Sequence, residues 1–157
     1  MKVLRIQEQR LVSILDKTYK MSQAPVHILL VDDDEINNFL SKELLRLHQP
    51  DLAIESMQYV DEALLYLENK ITNKQPLPDI ILVDINMPSL NGWDFMDAYE
   101  KMNAEAIKNV KVYIYTSSIY YKDLEKIRNY KSVIKLISKP FTDEMITEIL
   151  GIDAPRS

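Results

Sequence analysis

The chain of 157 residues contains no cysteine and only two glycines. Without thiols it can have neither a disulfide framework nor a thiolate metal site, and any metal centre must be built from oxygen or histidine nitrogen. A reducing compartment suits such a chain. No apolar run approaches the roughly twenty residues that cross a bilayer, and the amino terminus lacks the continuous apolar core of a secretory signal. A soluble, cytoplasmic protein with no membrane partner is expected. Basic residues are also short: 19 Lys and Arg stand against 24 Asp and Glu, for a formal charge of -5. A nucleic-acid surface would show the opposite balance or a clustered basic stripe, so no nucleic-acid partner is expected.

What remains is ordinary globular composition, 46% apolar and 27% charged, enough for one domain with a full core. Its centre of organisation is the stretch from Pro78 to Gly92. Ile80-Ile81-Leu82-Val83 is too short for a lone helix and reads as a buried strand that ends abruptly on Asp84. Asn86-Met87-Pro88 cannot continue the strand, because proline lacks the ladder donor and restrains its predecessor. Gly92 then permits a tight turn into the next helix. In an open parallel sheet the carboxyl ends of the strands form the ligand-binding crevice, so Asp84 is placed where chemistry happens.

Residues 1–24 stand apart from the pattern that follows. Val3, Leu4, Ile6, Leu11, Val12, Ile14 and Leu15, mixed with Lys2, Arg5, Glu8, Arg10 and Lys17, fit one amphipathic helix. It could dimerise or dock, but the plainer reading is an extension with Met21 as the natural first residue, preceding a domain over 25–151. Residues 152–157 form a loose tail, and nothing after Leu150 has the length of an effector domain.

From Val26 the chain alternates regularly. Val26 to Val31 is a strand running into Asp32-Asp33-Asp34-Glu35, and Ile36, Leu40, Leu44 and Leu47 then recur at helical spacing. His27 lies at the far end of that strand from the acids, as a strand residue with a satisfied ring. Ala53 to Met57 is a second strand, and Asp61 with Glu62 opens a helix whose apolar face is Ala63, Leu64, Leu67 and Ile71. The third strand ends at Asp84, with a helix from about Gly92 through Trp93, Met96 and Tyr99. Val110 to Tyr115 is the fourth, closed by Thr116-Ser117-Ser118 and followed by a helix carrying Tyr120, Leu124 and Ile127. Val133 to Ile137 is the fifth, leading to Ser138-Lys139-Pro140-Phe141 and a last helix capped by Thr142. Five strands alternating with five helical segments predict an α/β domain, a parallel sheet with helices on both faces.

Polar residues at otherwise apolar strand ends, namely Asp32 and Asp33, Asp84, Thr116 and Lys139, should converge at one edge. Three carboxylates there repel unless they protonate or meet a cation. Magnesium suits them, since it takes oxygen ligands, needs few carboxylates and keeps waters that a phosphate oxygen can displace. Asp84 could then attack phosphorus, with Lys139 offsetting charge and the Thr116 hydroxyl donating to a phosphoryl oxygen. Any one acid after a strand is more often a cap or turn residue; the conjunction carries the reading.

Taken in order, Ile28-Leu29-Leu30-Val31-Asp32-Asp33, Asp84-Ile85-Asn86-Met87-Pro88 with Gly92, Tyr115-Thr116-Ser117 and Ser138-Lys139-Pro140-Phe141 resemble the four signatures of a response-regulator receiver domain. The resemblance covers about Val26 to Leu150. It implies a doubly wound, flavodoxin-like sheet of order 2-1-3-4-5, Asp84 as phosphoacceptor, and a magnesium site of Asp32, Asp33, Asp84 and the Asn86 backbone carbonyl. It also implies Thr116 and Lys139 at the phosphoryl group, and a cis Lys139-Pro140 bond. The implied function is a single-domain switch that takes a phosphoryl group from a histidine kinase or histidine phosphotransfer protein. It would then change its protein contacts or pass the phosphate on in a phosphorelay, with no enzyme activity beyond its own phosphorylation and autodephosphorylation. One departure stands out: three residues before the lysine, where many receivers carry a tyrosine or phenylalanine that moves with the threonine, this chain has Leu136. Tyr120 or Tyr121 could stand in for it, although helix packing is their plainer role. Two rivals are weaker. A receiver fold working unphosphorylated as an interaction module fits Leu136 but leaves the filled reactive positions without a use. A phosphatase of the haloacid-dehalogenase kind expects a second aspartate two positions after the nucleophile, where Asn86 stands.

Overall fold

The computed structural model describes residues 2–22 and 24–153, without the side chains of residues 17–22. Five strands, β1 (His27–Val31), β2 (Ala53–Met57), β3 (Ile80–Val83), β4 (Lys111–Thr116) and β5 (Val133–Ser138), form one sheet of order β2-β1-β3-β4-β5. Every neighbouring pair is parallel. This is the doubly wound, flavodoxin-like order expected, so the carboxyl ends of all the strands share one edge.

Among the described residues seven helices accompany the strands: α1 (Lys2–Ser22), α2 (Glu35–His48), α3 (Val60–Thr72), α4 (Gly92–Tyr99), α5 (Ala104–Ile107), α6 (Tyr121–Ile127) and α7 (Asp143–Leu150). The sheet separates two cores because successive strand residues point to opposite faces. Leu29, Val31, Ile81, Val83 and Ile114 pack with Ala63 and Leu67 of α3 and Phe95, Met96 and Tyr99 of α4. Ile28, Leu30, Ile80, Leu82 and Tyr115 pack with Leu45 of α2 and Ile146 and Ile149 of α7. β3 is buried along its whole length, which is what four consecutive aliphatic residues require.

The helix starts beside the crevice are tied down by side chains. Asp34 accepts from the Asn37 amide at the start of α2, and Asn91 and Asp94 form a reciprocal capping box on α4. Thr142 accepts from the Met145 amide to cap α7, as expected. The loops that carry the polar residues are thereby anchored at their far ends.

Several details differ from expectation. Ile36, Leu40 and Leu47 mark a helix correctly but face solvent, and the buried positions of α2 are Asn38, Ser41 and Leu45. Helix α5 was not anticipated; one turn held by the Asn103 side chain is too short to show a period. The His27 ring is not satisfied: Nε2 is buried without a hydrogen-bond partner, its nearest acid being Glu55 at 3.6 Å. Tyr120 and Tyr121 are exposed at the start of α6, outside both core clusters. Leu136 itself is buried, opposite Ile114. The amphipathic pattern at the amino terminus does form a helix, on which Val3, Leu4, Leu11 and Leu15 are exposed. Of the expected loose tail, residues 154–157 lie outside the described residues, as do Met1 and Gln23.

Candidate functional site

Asp84 follows the last residue of β3 and is buried, as is Asp32 one residue beyond β1. Between them lies the ammonium of Lys139, which the residues just after β5 deliver to the same edge. Lys139 Nζ donates to Asp84 Oδ2 at 2.7 Å and also pairs with Asp32 Oδ2. The cis bond between Lys139 and Pro140 is present, as the resemblance implied. Burial pulls the Lys139 pKa down, but hydrogen bonds and charge from Asp32 and Asp84 outweigh it, and the net shift is upward. The ammonium is therefore a fixed positive charge at neutral pH.

The other oxygens of the two acids are held by backbone and amide donors. Asp84 Oδ1 accepts from the Asn86 amide at 2.9 Å. Asp32 Oδ1 accepts from the Asp34 amide at 3.0 Å, and Asp32 Oδ2 from Asn37 Nδ2 at 2.6 Å. Asn38 Nδ2 reaches the Asp32 backbone carbonyl at 2.8 Å. Thr116, fully buried at the end of β4, accepts from Asn86 Nδ2 at 2.7 Å. Asn86 thus bridges Asp84 and Thr116 with its backbone and its side chain. Asp33 is exposed and lines a cleft with Tyr59, Asp61, Glu62 and Leu90.

Gly92 serves this arrangement by its size. A Cβ there would lie 2.4 Å from the Asp84 carbonyl oxygen and 2.8 Å from Ile85 Cα. Close approach of α4 to the loop that follows β3, rather than turn freedom, is what requires glycine.

The candidate site residues Asp32, Asp33, Asp84, Asn86, Thr116 and Lys139 therefore lie at one edge, and the Lys139 ammonium is in direct contact with both Asp32 and Asp84. Among the described residues no three acidic or histidine side chains converge to chelate a metal by themselves. The donor chemistry nonetheless fits a hard dication. Two buried carboxylates outnumber the one ammonium between them, and Asp33, which directly follows Asp32, adds a third negative charge at the same edge. Magnesium typically takes only one or two carboxylates and completes its shell with carbonyls and water. Sequence reasoning missed Asn37, Asn38 and the Asn86 side chain. Amides in the first turn of a helix carry no signal until the loop that brings them to the acid is known.

A doubly wound parallel sheet with a buried acid, a lysine and a hydroxyl at its carboxyl edge belongs to the class of α/β proteins that carry their ligand site at the strand ends. The comparisons narrow it. The response regulator receiver domain family matches residues 28–151, and the chain belongs to that family. Among solved structures, a two-component response regulator from Cytophaga hutchinsonii is similar at 28% identity and TM-score 0.74, covering 82% of this chain and 96% of that one. The chemotaxis protein CheY4 of Vibrio cholerae shares the fold at 22% identity and TM-score 0.63, covering 82% and 98%. Two curated relatives are much longer proteins. The match to hybrid signal transduction histidine kinase I of Dictyostelium discoideum, 29% identical, covers 81% of this chain but 7% of that protein. The match to sensor histidine kinase CheAY of Helicobacter pylori, 28% identical, covers 83% of this chain and 15% of that protein. No helix among the described residues is long and apolar enough to cross a membrane.

Proposed function

We propose that this receiver domain accepts a phosphoryl group on Asp84 from a histidine kinase or histidine phosphotransfer protein and acts as a two-state signalling switch. The observation that carries the reading is the buried Asp84 carboxylate, held by the Lys139 ammonium on one oxygen and the Asn86 amide on the other. An Asp84 oxygen attacks phosphorus, the phosphorus–nitrogen bond of the donor phosphohistidine breaks, and its electron pair returns to the imidazole, which takes a proton from solvent. The product is an acyl phosphate. Lys139 supplies fixed positive charge to the transferring group, and Thr116 turns its hydroxyl from the Asn86 amide toward a phosphoryl oxygen. Asp32, Asp33, Asp84 and the Asn86 carbonyl would hold magnesium, which offsets charge on the phosphoryl oxygens when bound. Attack of water on the same phosphorus returns Asp84 and inorganic phosphate, and no other enzymatic activity is assigned. Output is a change in protein contacts or onward phosphate transfer, in a soluble cytoplasmic setting and without nucleic acid.

The test is intact mass after incubation with magnesium and a small acyl-phosphate donor, beside Asp84→Ala and a chelator control. A single phosphoryl adduct, lost in both controls, is expected. An adduct that persists in Asp84→Ala places the acceptor elsewhere and overturns the reading.

A further inference from the structure

Leu136 leaves the usual aromatic position without a ring, but an aromatic residue does touch the site from the other side of the sheet. Tyr115 precedes Thr116 on β4, so its side chain enters the core beneath α2 and α7 while Leu136 enters the opposite one. Its ring centroid lies 5.4 Å from Lys139 Nζ, within cation–π range. The ring is fixed on two more sides. It stacks on Phe141 with centroids 4.2 Å apart and planes 9° from parallel, and its hydroxyl meets Ser41 Oγ of α2 at 3.2 Å. Both hydroxyl-bearing residues are almost fully buried, and a polar pair there is costly unless satisfied. Two of the three ammonium protons of Lys139 serve Asp32 and Asp84. The face of Tyr115 is the apolar wall against which that ammonium is held.

We propose that Tyr115 is the positioning residue for Lys139, its ring fixed by Phe141 and Ser41 so that the ammonium stands between Asp32 and Asp84, and that it ties the position of Lys139 to helix α2. The consequence for switching rests on the reading of Asp84 as phosphoacceptor. When Asp84 gains a phosphoryl group, Lys139 must follow the new charge and shift across the ring. Because Tyr115 is bonded to Ser41 while Asn37 and Asn38 hold Asp32, α2 is connected to both partners that Lys139 leaves or slides along. The aromatic part of the device has thus moved from the α6 side of the sheet to the α2 side.

Two measurements test this. In the unphosphorylated protein, the side-chain ammonium signal of Lys139, identified by its loss in Lys139→Met, is followed by nitrogen–proton NMR. Tyr115→Leu should displace that signal and speed its hydrogen exchange about tenfold, while Tyr115→Phe, which keeps the ring, restores both. An unaltered signal in folded Tyr115→Leu overturns the proposal. Should that variant fail to fold, Ser41→Ala releases the ring instead; a displaced Lys139 signal supports the proposal and an unchanged one overturns it. The second measurement is the rate of adduct formation with the small acyl phosphate. Tyr115→Leu should be about tenfold slower at saturating magnesium with an unchanged magnesium midpoint, and Tyr115→Phe should recover most of the rate. A wild-type rate in Tyr115→Leu overturns the proposal while the phosphoacceptor reading stands. If the wild-type protein itself takes no phosphoryl group, that reading is in question and the NMR result alone decides the role of Tyr115.

Discussion

Asp32 and Asp84 are carboxylates taken almost wholly out of water, and one ammonium serves both. Removing one partner of a buried ion pair leaves an uncompensated charge, which costs far more than the pair contributes. Lys139→Met, which keeps the stem and removes the charge, should lower unfolding free energy by about 3 kcal/mol near neutral pH. Asp84→Asn should cost less than half as much, because Lys139 keeps Asp32. Urea denaturation of both variants measures the difference, and equal losses would mean that the ammonium does not bridge the two acids. Gly92 presents a steric case at the same scale. A methyl group 2.4 Å from the Asp84 carbonyl oxygen cannot be absorbed by a flexible side chain, since all three nearest atoms are backbone. Gly92→Ala should destabilise by about 1–3 kcal/mol. It should also slow adduct formation on Asp84 by more than that loss explains, because the acid moves with its backbone. Retention of the wild-type rate in the folded variant would show that the loop yields elsewhere.

At the scale of elements, α2 is the helix whose inner face is unusual. Asn38, Ser41 and Leu45 point inward, and two of the three are polar residues with specific partners, Asn38 on the Asp32 carbonyl and Ser41 on Tyr115. Asn38→Ala should therefore cost about 1–3 kcal/mol, the penalty of leaving a buried carbonyl without its donor. Leu47→Ser, on the exposed face, should change stability by no more than about 0.5 kcal/mol. The reverse ranking in urea midpoints would return α2 to the orientation its apolar residues suggest. That helix also shows where the sequence was legible and where it was not. Aliphatic runs ending on acids located β1 and β3, because a strand buried on both faces needs nothing but aliphatic residues. Thr142 followed by Asp143 and Glu144 located the start of α7, because capping is local chemistry. The orientation of α2 was not legible, since Ile36, Leu40 and Leu47 are spaced as well as a buried stripe and only the sheet decides which stripe turns inward. Asn86 was read for its backbone alone, because the partner of its side chain, Thr116, lies thirty residues further on. Tyr115 was read as strand for the same reason, and α5 was too short to read.

Across the whole molecule, the interior holds buried phenols and the Lys139 ammonium in their protonated forms. Burial raises the pKa of Tyr66, Tyr99, Tyr113 and Tyr115 above the ordinary 10.0. Burial, the hydrogen bond to Asp97 and nearby acids push Tyr130 up to about 12. Each of these groups holds its proton more tightly in the folded chain than in the unfolded one. Its contribution to stability is then complete below the unfolded value and is lost as pH rises through the folded one. Lys139 follows the same sign from its ordinary 10.5. Above pH 10 each buried tyrosine takes away at most about 1.4 kcal/mol per pH unit until its own raised pKa is reached, and the half-buried Tyr66 and Tyr130 take away less because solvent screens them, so the group together removes on the order of a few kcal/mol per unit. Against a total stability of roughly 5–15 kcal/mol, this predicts little change from neutral pH to about 10 and cooperative unfolding within about two units above it. Phenolate absorbance and far-ultraviolet circular dichroism, recorded on one alkaline titration, make the check. The buried tyrosines should ionise together with the loss of helix, in a transition steeper than a one-proton curve. Phenolate from all nine tyrosines appearing near pH 10 with the helices intact would mean that these rings are open to water, and that the two cores on either side of the sheet are looser than their packing shows.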